Sequence, residues 1–213
     1  MRVLPILFNT DMVRAILDGR KTVTRRVLKN LPKDAEYVGQ LEDSFEPWDE
    51  KDIGKSMFKT SLLPTEKAGC IFIKPPYQPG DTLYVRETWW KNGNTYFYKA
   101  GCSKGLIDNM YVKWRPSIHM PKEAVRIWLK VTDVRVERLQ DITDEQAKAE
   151  GANWKNGKNV GFEEKMRRTA VERFAEIWNS TIKKSDLDRY GWDANPWVWV
   201  IEFERFEKPE ENK

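Results

Sequence analysis

Hydrophobic positions alternate with polar ones in several short segments of the chain, and this pattern predicts β-strands. The predicted strands cover residues 3–8, 22–28, 82–87, 125–136 and 197–206, with 96–98 pairing beside the third of them. On the last strand Trp197 and Trp199 are two residues apart and therefore share a face, which Ile201 and Phe203 continue. We expect this face to belong to the core.

Three segments carry helix signals. Thr10 is a plausible N-cap for a helix that Gly19 ends. Thr143 and Gln146 match a capping box, which predicts a short helix that runs to Glu150 and is closed by Gly151. A longer amphipathic helix is predicted over residues 163–179, and its apolar side carries Met166, Ala170, Phe174, Ile177 and Trp178.

The order of these elements shows no regular βαβ alternation, so the pattern favours an α+β fold in which helices pack against a twisted or barrel-like sheet. Residues 29–78 are polar and contain several prolines. We interpret them as an irregular insertion with a few short strands, not as a separate domain. The prediction is a single domain over residues 1–207, followed by a polar tail at 208–213.

Composition narrows the class of protein. Of 213 residues, 40% are hydrophobic and 33% charged, and no segment approaches the ~20 consecutive apolar residues of a membrane helix. The first residues lack an export signal, so a cytoplasmic location is expected, with no membrane partner. Two cysteines and one histidine provide no familiar metal-site spacing, and we expect no metal and no cofactor. Free thiols at Cys70 and Cys102 are favoured, and a disulfide between them is the alternative.

Cationic residues are concentrated near the start of the chain. The net charge of +4 is mild, but six cations lie close together, at Arg14, Arg20, Lys21, Arg25, Arg26 and Lys29. Such a patch suits contact with phosphates. A solvated charged face explains the same pattern equally well.

Lys21, Thr24 and Glu150 are the residues whose side chains could together perform acid–base or nucleophilic chemistry. A lysine whose pKa is lowered by burial or neighbouring cations can act as base for a threonine hydroxyl, and a carboxylate can orient the pair or shuttle a proton. On a regular strand, Lys21 and Thr24 would point to opposite faces. They converge if Lys21 lies in the turn after Gly19 or if a bulge intervenes.

Residues 19–26 (GRKTVTRR) resemble the G-x-K-x-x-[ET]-x-R signature of the ASCH superfamily, a branch of the PUA-like β-barrels. Further segments resemble blocks of its phage and prophage members, in the same order along the chain: 79–89, 114–121, 134–142 leading to 149–151, and 195–200. The resemblance implies a PUA-like twisted β-barrel with flanking helices, elaborated by the insertion.

Small bacterial members with a similar signature hydrolyse N4-acetylcytidine to cytidine. Their proposed residues correspond to Lys21, Thr24 and Glu150. The implied reaction is amide hydrolysis with Thr24 as nucleophile or water-orienting hydroxyl, Lys21 as its base or oxyanion partner, and Glu150 as proton shuttle. Arg26 would be an electrostatic or phosphate contact. The partner would be a modified nucleoside, RNA or DNA, and the oligomeric state stays open.

A non-catalytic RNA- or DNA-binding module that reads a modified base is the main alternative. Its phosphate contacts would come from the cations of the patch, including Arg20, Arg25 and Arg26, and from Arg86, while Trp89 would stack on a base. Glu87 is either a salt-bridge partner of Arg26 or a substrate contact. A ribonuclease is the third possibility, although His119 alone does not form a two-histidine site. We expect His119 to be packed or hydrogen-bonded in a loop.

Overall fold

The computed structural model describes residues 1–42, 50–61, 69–102, 112–152 and 169–207. Its strands are β1 (Val3–Leu7), β2 (Val23–Val27), β3 (Glu36–Gln40), β4 (Ser56–Lys59), β5 (Cys70–Ile73), β6 (Thr82–Arg86), β7 (Trp89–Asn92), β8 (Thr95–Tyr98), β9 (Trp128–Arg138) and β10 (Trp197–Phe206). Its α-helices are α1 (Thr10–Leu17), α2 (Asp144–Ala149), α3 (Ala170–Thr181) and α4 (Leu187–Tyr190). The predicted α+β class is confirmed.

The main sheet contains five strands in the order β1-β6-β9-β10-β2. The pair β1–β6 is parallel, and the other pairs are antiparallel. In the described part of the chain, β1 and β2 are therefore the two edges of this sheet. The last strand has the predicted bounds, whereas β9 begins three residues later than predicted, after a 3-10 turn over Lys122–Ala124.

Side chains cover the outer edge of β1. The Arg26 guanidinium donates to the Leu7 carbonyl at 2.8 Å, and the Tyr77 hydroxyl donates to the Pro5 carbonyl at 2.9 Å. The carbonyls of Pro5 and Leu7 point to the same side because they are two residues apart on an edge strand. Each of them therefore accepts a hydrogen bond from a side chain in place of a neighbouring strand. Arg26 thus connects one edge strand of the sheet to the other.

The two faces of the sheet carry separate cores. One includes Trp199, Ile201 and Phe203 and packs against α1, while Trp197 lies partly buried beside it, so the predicted shared face is confirmed. The other packs α2 and α3 against Val198 and Val200. Phe174 and Trp178 of α3 are buried there, as predicted.

Residues 29–78 contain short strands, as predicted, and these strands pair with one another. Strands β3, β4 and β5 pair into an antiparallel sheet, and Phe58 from its middle strand packs on Trp197, with ring centroids 5.9 Å apart. Residues 96–98 pair with β7 and not with β6, which corrects the prediction. The short Trp89–Asn92 strand provides a nearer partner across a two-residue turn.

Helix ends follow local capping. Asn9, and not Thr10, is the N-cap of α1, because its side chain accepts from the Met12 amide at 2.9 Å. The capping box of Thr143 and Gln146 is confirmed. Helix α3 ends at Thr181, two residues beyond the prediction, and the predicted first turns with Met166 lie outside the described residues, as does the predicted tail. Among the described residues, no helix is long and apolar enough to cross a membrane.

Candidate functional site

Lys21 lies in the turn between α1 and β2. Gly19 adopts a φ of +71°, and the amides of Arg20 and Lys21 both donate to the Ala15 carbonyl, at 2.8 and 3.0 Å. This turn ends the helix and places Lys21 before the strand, which begins at Val23. The alternation of β2 therefore does not apply to Lys21, and the turn position considered from the sequence is the one observed.

Glu150 reaches Lys21 from the end of α2. The two residues form an isolated antiparallel bridge, and the Thr22 amide donates to the Ala149 carbonyl at 2.9 Å. The next residue, Gly151, has a φ of +87°, and a Cβ there would lie 2.9 Å from the Ala15 Cβ. A glycine at this position is what permits α2 to approach α1 so closely.

The side chains of Lys21 and Glu150 form a buried ion pair. Lys21 Nζ is 2.6 Å from Glu150 Oε2, and it also donates to the carbonyls of Val23 at 2.7 Å and Glu150 at 3.1 Å. These contacts use the three protons of an ammonium group. Burial lowers the pKa of Lys21, the Glu150 carboxylate acts in the opposite direction, and Arg26 and Arg25 lower it further.

Arg25 holds the other side of the same carboxylate. Its guanidinium lies 3.4 Å from Glu150 Oε1 and donates to Glu137 Oε2 at 3.0 Å and Gln146 Oε1 at 2.9 Å. The side chain has no exposed surface. The prediction that Arg25 contacts phosphates is therefore wrong, because its donors are turned inward to fix Glu150 and α2.

A cavity of about 180 Å³ lies beside this pair. Thr24, Arg25, Arg26 and Glu150 contribute its charged and hydroxyl groups. The remaining wall comes from the end of β1 and from helices α1 and α3: Leu7, Asn9, Met12, Phe174, Ile177, Trp178 and Thr181. Within the described residues, the Thr24 hydroxyl has no hydrogen-bond partner. The structure thus brings Thr24 and Glu150 to one cavity, with Lys21 behind Glu150.

Arg26 stands at the boundary of this cavity. Its guanidinium lies 5.3 Å from the Phe8 ring centroid as well as on the Leu7 carbonyl, and both Arg26 and Leu7 also line a second, larger cavity of about 470 Å³. The side chain is half-buried and keeps N–H groups beyond the one bound to Leu7. Arg26 therefore borders both cavities and has N–H groups left to donate.

Other residues predicted for the site lie elsewhere. Arg20 pairs with Asp18 at 2.8 Å, and Arg86 donates to the Ile118 carbonyl at 3.2 Å. Glu87 is buried and binds Arg126 at 2.8 and 3.0 Å, so the predicted pairing with Arg26 is wrong.

Two further predictions are corrected. Trp89 is only 3% exposed, packs with Met120 and Ala124, and has the Arg115 guanidinium 5.0 Å from its ring centroid. It cannot present a face for base stacking without unpacking that cluster. His119 ends a 3-10 turn and is exposed, not packed.

Sequence reasoning missed the residues that support the site. Glu137 had no signal of its own, since its partner Arg25 is 112 residues away. Gln146 was identified only as part of a capping box, yet its side-chain oxygen accepts both from the Thr143 amide and from Arg25. Within the described residues no cluster of three acidic, histidine or cysteine side chains could hold a metal ion, and Cys70 and Cys102 are not joined in a disulfide.

Comparisons with known proteins add little to this geometry. No protein-family model and no curated protein matches the chain. Among solved structures, that of protein EF3133 from Enterococcus faecalis V583, of family DUF984, aligns with a TM-score of 0.40 and 10% identity. The alignment covers 100% of this chain and 85% of that one. A similarity this distant supports no functional argument, so the function has to be inferred from the residues of the site.

Proposed function

We propose that this chain is an ASCH-type, PUA-like amidohydrolase that removes an acyl group from a modified nucleobase, with N4-acetylcytidine as the test substrate. The observation that carries the proposal is the carboxylate of Glu150, held by Lys21 at 2.6 Å and Arg25 at 3.4 Å, on the wall of a cavity that also presents the Thr24 hydroxyl. A fixed carboxylate beside a free hydroxyl in a half-apolar cavity suits general acid–base catalysis on a small planar amide.

In the proposed reaction, Glu150 accepts a proton from a water molecule while the water oxygen attacks the acyl carbonyl carbon. The carbonyl oxygen becomes an oxyanion, and the guanidinium of Arg26 stabilises it. The C–N bond then breaks as Glu150 returns the proton to the leaving nitrogen. The products are the unmodified base, with its free amino group, and a carboxylic acid, so one water molecule is consumed.

Thr24 and Lys21 have different parts in this scheme. Thr24 orients the water or the acyl oxygen, because its hydroxyl can both donate and accept. Lys21 is a positioning residue. Its three donors are occupied by Val23 and Glu150, so it holds the Glu150 carboxylate in one orientation.

Two of the residues that a purely nucleic-acid-binding module would use for contacts are not available for them. Arg25 is completely buried among carboxylate and amide oxygens, and Trp89 belongs to a packed cluster. Neither side chain is free for a phosphate or a base. For this reason the hydrolase is the function that we favour.

The test is incubation of the purified protein with N4-acetylcytidine, followed by chromatographic measurement of cytidine. We expect turnover that falls by about 100-fold or more in Glu150→Gln and in Thr24→Val. Thr22→Val is the matched control, since Thr22 is exposed and lies outside the cavity. Absence of turnover by the unmodified protein would overturn the proposal, as would full activity of Glu150→Gln.

A further inference from the structure

The larger cavity, of about 470 Å³, lies between the edge strands of the main sheet and the chain that leaves the insertion. Ile6 and Leu7 of β1 line one side, and the segment 26–29 lines another. Lys74 and Tyr77, which follow β5, contribute the third. Arg26 and Leu7 also line the smaller cavity, so the hydrogen-bonded Arg26–Leu7 pair forms part of the wall of both spaces.

The charges of this larger cavity have one sign. Its wall includes Arg26, Lys29 and Lys74, and no carboxylate is found among the described residues that line it. Lys29 and Lys74 are exposed, and neither makes an ion pair within the described ranges. Three cations surround one concave space, and within the described residues only Arg26 of the three also interacts with a carboxylate, that of Glu150. Such a wall produces a positive potential that attracts an anion. The smaller cavity differs, because Glu150 is part of its wall.

The side chains of the cavity wall favour one class of anion, a phosphate group. Two lysines and an arginine can surround a phosphate, with the lysines as point charges and the arginine as a planar donor. Much of the remaining lining is apolar, including Leu28, Pro76 and Trp199, which suits the sugar portion of a nucleotide. Arg26 lies where the phosphate-bearing part and the base of one ligand would meet.

We propose that the larger cavity binds a phosphate group of the substrate through Arg26, Lys29 and Lys74 while the acylated base occupies the smaller cavity. This inference rests on the proposed function for the identity of the base. It names the substrate class as a phosphate-bearing nucleotide unit in preference to a free nucleoside. The phosphate is either the monoester of a free nucleotide or a diester of an RNA strand.

The experiment compares kcat/KM for N4-acetylcytidine, its 5′-monophosphate and a short oligoribonucleotide with one acetylated cytosine. We expect one phosphate-bearing substrate to be preferred over the nucleoside by about tenfold, which corresponds to about 1.4 kcal/mol. The preference should shrink in high salt and fall towards one in the double variant Lys29→Gln/Lys74→Gln. Lys130→Gln, an exposed lysine of β9 outside both cavities, is the matched control and should keep it. A preference for the monophosphate identifies a free nucleotide, and one for the oligonucleotide identifies a strand.

Binding separates failure of this inference from failure of the proposed function. Tryptophan fluorescence, to which Trp199 contributes, is titrated with cytidine and with cytidine 5′-monophosphate. Tighter binding of the monophosphate, lost in the double variant, supports the phosphate site even if no substrate is hydrolysed. Equal turnover and equal binding of nucleoside and nucleotide overturn the phosphate site while leaving the hydrolase intact. A phosphate preference that persists in the double variant also overturns the assignment.

Discussion

Lys21 and Glu150 are 129 residues apart in the chain, yet their side chains meet at 2.6 Å and their backbones pair in an isolated bridge. Only 0% and 5% of the two side chains is exposed. The pair joins the turn after α1 to the end of α2 and holds the carboxylate of the candidate site. Its energetics can be tested without reference to any substrate.

Glu150→Gln should destabilise the fold by about 3 kcal/mol or more, because it leaves the Lys21 charge buried without its partner. Urea denaturation measures the free energy of unfolding. The double variant Lys21→Met/Glu150→Gln should recover part of the loss, since it removes both charges. Lys148→Gln breaks an exposed ion pair with Asp144 and is the control, with no measurable effect expected. A cost for Glu150→Gln no greater than that of the control would contradict the buried pair.

Gly151→Ala should be more damaging than Gly80→Ala, although both glycines have a φ of +87°. The backbone penalty of about 1–2 kcal/mol is common to both. At Gly151 the new methyl group would also lie 2.9 Å from Ala15, whereas at Gly80 it would meet no atom within 4 Å. The difference between their unfolding free energies isolates the close approach of α2 to α1. We also expect Gly151→Ala to lower hydrolysis by displacing Glu150, and equal stability of the two variants would argue against that approach.

Asp81 should stabilise the fold at neutral pH but not in acid. Burial by itself raises the pKa of Asp81, but hydrogen bonds from Arg2 and from the Gln78 amide, at 2.8 Å, lower it overall. The unfolded chain, with a carboxyl pKa of about 3.9, therefore binds more protons in the interval between the two values. The stabilisation is present above about pH 4 and is lost as the pH falls through the folded-state pKa.

Asp81→Asn tests this dependence. We expect it to cost about 1–2 kcal/mol at pH 7, and the difference from the unmodified protein should narrow as the pH approaches 2. The measurement is the urea midpoint across this range. Asp11→Asn alters a side chain that is 92% exposed and serves as the control. A difference that stays constant with pH would show that the Asp81 charge has no part in stability.

Trp89→Ala should destabilise the protein by about 3–5 kcal/mol, the cost of removing a large side chain from a packed cluster. Trp90, its neighbour on β7, is half-buried, and Trp90→Ala should cost distinctly less. Thermal unfolding of both variants provides the comparison. If Trp89→Ala keeps full stability but loses affinity for RNA, Trp89 is a stacking platform and not part of the core.

Much of the fold could be predicted from the sequence. The last strand, the capping box of α2 and the shared core face of Trp199, Ile201 and Phe203 all agree with the structure. The pairing of the insertion strands could not be predicted, because each of β4 and β5 has only four residues and a weak alternation. Short strands are recognised by their partners more than by their own residues.

Of the residues predicted for the candidate site, some line or support the cavity, and others are buried in ion pairs. Lys21, Thr24 and Glu150 were selected, and the structure places Thr24 and Glu150 on one cavity with Lys21 bound to Glu150. Arg25 and Glu87 were interpreted as surface contacts or as a partner of Arg26. Both are instead buried, with ion-pair partners on β9 or immediately before it.

The sequence alone was enough to predict features that depend on near neighbours, namely the alternation of the strands and the caps of α2. It left the turn after Gly19 as one of two ways to bring Lys21 and Thr24 together. These features are local, since a residue and the few around it set the backbone conformation and the first hydrogen bonds. Which charges are buried together, and which cations face a cavity, depends on the tertiary structure. The order β1-β6-β9-β10-β2 brings side chains together from segments more than 100 residues apart, and burial then makes an ion pair of Lys21 and Glu150 where the sequence shows two ordinary charged residues.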